Sequence, residues 1–205
     1  MLFFWDATLL PVKSEKRDGR HARAERTHQA IVNALLDLAE EGNLSPTAQQ
    51  IADRADIALR SIRQHFASRE ALFLAAAETH SQRRVASAVI VRGTLKERVA
   101  GFVRARSLVL EQTSALRRAA SLEEESSQTI TRVMSGVNRA RRSEVLRAFD
   151  KEFERKSAKD RKRLVDALDL ASCGRSWDAM RREMNLSTGD ARGVMETTLS
   201  KLLAD

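Results

Sequence analysis

Proline occurs only at positions 11 and 46, so residues 47–205 run without one. A proline inside a helix removes a backbone donor and costs about 3 kcal/mol. Its absence over so long a stretch lets helices form wherever apolar residues recur at helical spacing. Ala, Leu, Arg and Glu dominate, tyrosine is absent and aromatic residues make up 4%. Strands draw on β-branched and aromatic residues, so the expected fold class is all-α. A chain of 205 residues can bury a sizeable core without disulfides or metals. Cys173 is the only cysteine. That excludes an intrachain disulfide and a cysteine-based zinc site, and it fits a reducing cytoplasm.

The 36 basic and 28 acidic residues leave a net charge of +8, with a pI near 10.3. Such a balance favours an anionic partner, either nucleic acid or an acidic membrane surface. Residues 13–26, KSEKRDGRHARAER, concentrate basic charge without a large apolar side chain. Two readings fit them: a solvated linker, or an arm on phosphates. In the second, Lys16, Arg17, Arg20 and Arg23 would enter an adjacent minor groove. The start, MLFFWDATLLPV, is apolar but lacks a basic leading region and is too short to span a bilayer. It reads as an extension, without a membrane role.

Periodicity places a first helix over 24–41, with Ile31, Leu35, Leu38 and Ala39 on one face and Gly42 as its stop. Thr47 and Gln50 form a T-x-x-Q capping box that starts a short helix ending near Ala55. Asp56 and Ile57 make a turn, a helix over 58–65 follows, and Ser68 caps a fourth running to residue 90. Further helices are expected near 94–112, 114–125, 127–156 and 158–184, and a last one from Ser187. The domains expected are an extension at 1–23, a helix-turn-helix unit at 24–67 and a helical body at 68–205.

Two short helices at a steep angle suit the major groove, which is wide enough for one helix. The spacing supplies what that arrangement needs. Ala52 permits close approach, Ile57 plugs the corner, Ile62 and Phe66 hold the second helix, and Arg60, Ser61, Arg63, Gln64 and His65 stay polar outside.

With these residues in view, the segment from Arg26 to Phe73 resembles the N-terminal domain of the TetR family of transcriptional regulators. The pieces that carry the resemblance are AIVNALLDLAEEG at 30–42, TAQQIADRA at 47–55 and HFASREALF at 65–73. A weaker likeness extends over 166–191 to the family's last two helices. The resemblance implies an N-terminal three-helix DNA-binding domain and a C-terminal helical domain for ligand binding and dimerisation. It implies a homodimer acting on double-stranded DNA at a palindromic operator, as a repressor responsive to a small-molecule effector. Thr47, Arg63, His65 and Arg69 would then lie on phosphate, and Leu59, Arg60, Ser61 and Gln64 would face base edges. Three positions depart from the family pattern: Asp56 stands for the usual Gly, Ala58 for Ser or Thr, and Arg63 for Tyr. Arginine keeps phosphate within reach through a charge-assisted bond.

The tail carries apolar stripes that suit a dimer seam: Leu170, Cys173, Trp177 and Met180, then Val194, Met195, Leu199 and Leu202. Burial within one subunit would account for the same stripes. The resemblance to a four-helix seam favours pairing. Phe102, Leu110, Met134, Phe149 and Trp177 are candidate lining for an effector pocket, with ordinary core as the competing reading.

Two other classes compete. Catalysis is disfavoured: Glu25 and His28 form one Glu-x-x-His string where a carboxylate-bridged metal pair needs two, and no Gly-rich phosphate loop occurs. No cofactor or metal is expected. A membrane-surface or interaction protein without sequence-specific DNA binding is the alternative. Residues 13–26 argue against it, because they lack an apolar face.

Overall fold

The computed structural model describes residues 15–85, 93–124, 127–154 and 156–204, and within these it is helical with no strand. The apolar start lies outside the described residues, as does the end of the fourth helix beyond Val85.

The helices are α1 (Glu15–Glu40), α2 (Ala48–Arg54), α3 (Leu59–His65), α4 (Arg69–Val85), α5 (Leu95–Glu123), α6 (Gln128–Ala148), α7 (Asp150–Phe153), α8 (Ala158–Ala171), α9 (Gly174–Asp178) and α10 (Thr188–Ala204). A π-turn over Ala179–Glu183 extends α9.

Helix ends follow local chemistry. At α1, Gly42 adopts φ 98°, and Asn43 N–H reaches back to the Leu38 carbonyl at 2.9 Å. At α2 the same closure is made without glycine. Asp56 takes φ 53°, its N–H donates to Asp53 O, and Ile57 N–H donates to Ala52 O at 3.0 Å. This is the Schellman arrangement with aspartate at the left-handed position, where Asp and Asn are tolerated best after Gly.

The body differs from the sequence expectation at three joints. Residues 94–112 and 114–125 form one helix, α5. Thr113, at the expected break, donates its hydroxyl to the Val109 carbonyl at 2.8 Å and so stays within the helix rather than capping a new one. The expected helix over 127–156 breaks at Phe149, whose ring is fully buried and lies 5.3 Å from the ring of Phe102. The Ala148 carbonyl orphaned by that break accepts from Arg98 Nη1 at 2.8 Å. The helix expected over 158–184 breaks at Ser172 and Cys173. There Ser172 Oγ donates to Leu168 O at 2.7 Å and Ser176 Oγ to Leu170 O at 2.6 Å.

Apolar burial gathers in two cores. The first joins α1, α2, α3 and α4 to the C-terminal half of α5 and the start of α6, through Leu116, Ala119, Ala120 and Ile130. The second joins the N-terminal half of α5 to α6, α7, α8, α9 and α10, around Phe102, Phe149, Trp177 and Leu199. Helix α5 thus belongs to both; α2 packs on α1 and α3, and α1 and α4 in turn pack on α5.

Candidate nucleic-acid interface

Helix α3 is only seven residues long, and helices that short are marginal unless tertiary packing holds them. Ile62 and Phe66 supply that packing, each 7% exposed, while Leu59 and Ile57 pack part-buried against the same core. The opposite side of α3 is polar. Arg60, Arg63 and Gln64 are exposed, Ser61 and His65 half-buried. Neither arginine makes a hydrogen bond or ion pair with another described residue, so both guanidinium groups are available to a partner. Leu59, expected at base edges, divides its surface between the core and the outside.

Thr47 starts α2 as the capping box requires. Its Oγ1 accepts from Gln50 N–H at 3.2 Å, and Gln50 Oε1 accepts from Thr47 N–H at 2.8 Å. The exposed hydroxyl keeps its own hydrogen for an outside acceptor. Arg54 Nη1 donates to Glu41 Oε1 at 2.8 Å, tying α2 to the end of α1 and holding the Glu41 carboxyl below its ordinary range. His28 of α1 stacks 4.5 Å from the Phe66 ring, with the His65 ring 6.2 Å away. His65 is therefore part of a packed aromatic corner as well as of the outer face. The packing of His28 on this corner is not legible in the sequence, since partners 37 and 38 positions apart share no local pattern.

Arg69, expected on phosphate, also makes contacts inside the chain. Its Nη1 donates to Pro46 O at 2.8 Å and its Nη2 to Ser45 Oγ at 3.1 Å. Its Nε sits 2.8 Å from Glu123 Oε1, paired by charge although off the N–H line. The guanidinium also lies 5.4 Å from the Phe73 ring centroid. The neighbouring Glu70 accepts from the Ser127 hydroxyl; that bond, then Thr129, holds its carboxyl below the ordinary range. Two successive residues of α4 thus fasten the short helices to the end of α5 and the start of α6.

The expected helix start near Ala24 is corrected: α1 begins at Glu15 and carries Lys16, Arg17, Arg20 and Arg23. Residues 21–26 are exposed and burial starts at Ile31.

In the body, the proposed seam residues separate. Cys173, Trp177, Met180, Met195 and Leu199 are buried in their own subunit, because α9 and α10 turn them onto α5 and its neighbours. Trp177 Nε1 donates to Glu111 Oε1 at 2.7 Å. Leu170 and Val194 are 67% and 41% exposed, Met184 joins them outside, and Leu202 is part-buried. Gly174 receives a side chain: a Cβ there would lie 1.4 Å from Arg117 Nη1. That guanidinium is 3.3 Å from Asp178 Oδ1.

The residues expected to line an effector pocket fall in two places. Phe102, Leu110, Phe149 and Trp177 are buried in the second core, whereas Met134 packs against the first. A cleft of about 670 Å³ lies elsewhere, between α6, α7 and α8, with Leu146, Phe153 and Val165 beside Arg142 and Arg161. Among the described residues, no group of His, Cys, Asp and Glu is placed to hold a metal.

No protein-family model and no curated protein matches the sequence. Solved structures do match by fold. A transcriptional regulator from Rhodococcus sp. Rha1 superposes with a TM-score of 0.65 at 15% identity, over 86% of this chain and 96% of its own. A protein named as a TetR-family transcriptional regulator, from Mesorhizobium loti, gives 0.62 at 16% identity over 89% and 97%. A transcriptional regulator from Pseudomonas aeruginosa PAO1 gives 0.64 at 16% identity over 86% and 90%. The chain thus has the all-helical fold of these transcriptional regulators, one of which is named as a TetR-family member.

Proposed function

We propose that this protein is a sequence-specific DNA-binding transcriptional regulator that works in the cytoplasm as a homodimer, repressing from a palindromic operator. The observation that carries the reading is α3 itself. A seven-residue helix is held from behind by Ile62 and Phe66 and presents Arg60 and Arg63, exposed and without a partner among the described residues, with Gln64 on its outer face. Arg60 reads a base edge, since arginine to guanine is the commonest specific contact. Ser61, Gln64 and the exposed part of Leu59 flank it. Arg63, Thr47 and His65 position the helix on phosphate.

Residues 24–67 are the reading unit and 68–205 the body that pairs. Two reading helices are needed for two half-sites, and the exposed Leu170, Met184 and Val194 supply apolar surface for the pairing. An effector would sit in the cleft at Arg142, Leu146, Phe153 and Arg161. Its mixed lining suits a partly apolar anion.

Selection of bound sequences from random double-stranded DNA tests the function. The expected result is a two-fold symmetric site with half-sites about one helical turn, or a multiple, apart. Enrichment of no sequence would remove the proposal.

A further inference from the structure

Helix α9 packs across α5, and charge gathers where they meet. Ser114 Oγ donates to Asp178 Oδ1 at 2.7 Å, and Arg117 Nη2 reaches the same oxygen at 3.3 Å. Arg117 also donates its Nε to Thr113 Oγ1 at 3.2 Å, and its guanidinium lies over the bare backbone of Gly174. To the other side, Glu111 Oε1 accepts from Trp177 Nε1 at 2.7 Å and from Arg181 Nε at 2.8 Å. Both carboxylates at the crossing are therefore engaged.

Arg118 and Arg182 are left over. Neither makes a hydrogen bond or ion pair with another described residue. The Arg118 Nε is buried without a hydrogen-bond partner, a condition uncommon in folded chains. Arg182 stands one turn beyond Asp178, on the π-turn over Ala179–Glu183. Burial, and then the charge of Arg182, push the Arg118 guanidinium below its ordinary value against the pull of Asp178. Burial likewise pushes Arg117 down.

Arg117, Arg118 and Arg182 thus share one carboxylate, Asp178, because Glu111 is paired with Arg181. Positive charge is in excess at a place partly withdrawn from water, where like charges repel more strongly. Guanidinium groups match the oxygens of phosphate-like anions through charge-assisted, often bidentate bonds. Single π-turns inside helices also recur at functional positions. We propose that the crossing of α5 and α9 is an oxyanion site, in which Arg118 and Arg182 hold a small doubly charged anion of the phosphate or sulfate type while Arg117 neutralises Asp178 behind them. Two negative charges cancel the excess, which chloride does not. The half-burial of Arg118 favours a small ion over a carboxylate of a second subunit, which has to bring its own backbone to the same place. The site is separate from α3 and from the cleft between α6, α7 and α8, and it does not depend on the DNA-binding reading.

The test uses the full-length protein in thermal melts, with potassium phosphate set against potassium chloride at matched ionic strength and sulfate as a second oxyanion. The melting temperature should rise with phosphate along a saturating curve, by about 3–6 °C once phosphate exceeds its Kd about tenfold. Arg118→Gln/Arg182→Gln should abolish that rise. In chloride alone this variant should melt no lower than the unmodified protein, because the repulsion is gone. Arg182→Gln by itself changes an exposed side chain and so keeps the test open if the double variant does not fold. It should weaken phosphate binding in titration calorimetry about tenfold, the loss of one charge-assisted contact. A rise of equal size in all three proteins overturns the proposal, since phosphate also stabilises folded chains by exclusion from their surface. Absence of a phosphate-dependent rise in the unmodified protein overturns it as well. If the double variant instead turns a dimer into a monomer and phosphate has no effect, the arginines pair with a carboxylate of the second subunit, and the oxyanion site is refuted.

Discussion

Arg69 Nε lies 2.8 Å from Glu123 Oε1, while the same guanidinium donates to the carbonyl of Pro46 at 2.8 Å. One side chain of α4 thereby joins the segment before α2 to the end of α5. Arg69→Ala leaves the buried Pro46 carbonyl without its donor, and it should lower stability by about 1–3 kcal/mol in urea melts. The salt slope of DNA binding should not change, because no phosphate contact is lost. A slope shallower by about 1 with unaltered stability would return Arg69 to the phosphate set.

Arg60 and Arg63 are both exposed on α3, three residues apart, yet distinct outcomes are expected. Arg60→Ala should cost about 1–3 kcal/mol at one base pair and relax preference there. Arg63→Ala should weaken all sequences alike and reduce the salt slope by about 1. Affinity measurements on single-base operator variants distinguish the two. Uniform weakening from Arg60→Ala would end its assignment as a reader.

Leu170 and Val194 are exposed, whereas Leu199 on the same last helix as Val194 is fully buried. Leu170→Glu/Val194→Glu should therefore yield a folded monomer in sedimentation at micromolar concentration, with weakened operator binding. Leu199→Glu should unfold the chain instead, since it places a charge in a core with no partner. A double variant that remains dimeric would place the seam elsewhere.

Glu152 accepts from Arg98 Nη1 at 2.8 Å, and the side chains are 15% and 7% exposed. The Arg98 guanidinium holds the Glu152 carboxyl below its ordinary value of 4.5. A carboxyl lowered on folding contributes stability in full above that ordinary value and loses it as pH falls through the lowered one. Stability should therefore decline below about pH 4.5. Glu152→Gln should cost about 3 kcal/mol at neutral pH, the low end for breaking a buried pair, and should soften the acid dependence. Thermal melts from pH 3 to 7 measure both.

Local chemistry was legible where partners lie close in sequence. The Thr47–Gln50 box, the Gly42 stop, the turn at Asp56 and Ile57 and the burial of Ile62 and Phe66 all depend on residues within one or two turns. The division of polar and apolar faces on α3 follows from the same periodicity.

Tertiary structure decided everything that depends on which of two apolar neighbours wins. The stripe of Cys173, Trp177, Met180, Met195 and Leu199 reads as a seam or as core, and α5 takes it as core. The aromatic set of Phe102, Phe149 and Trp177 reads as pocket or as packing, and the fold buries all three in the second core. Arg69 reads as a phosphate ligand, and the fold brings Pro46, Ser45 and Glu123 around it. The sequence by itself determined the helical class and the corner made by α2 and α3, because helix periodicity and capping are local. Which faces remain exposed was set by long-range packing, because burial depends on neighbours that the chain order does not name.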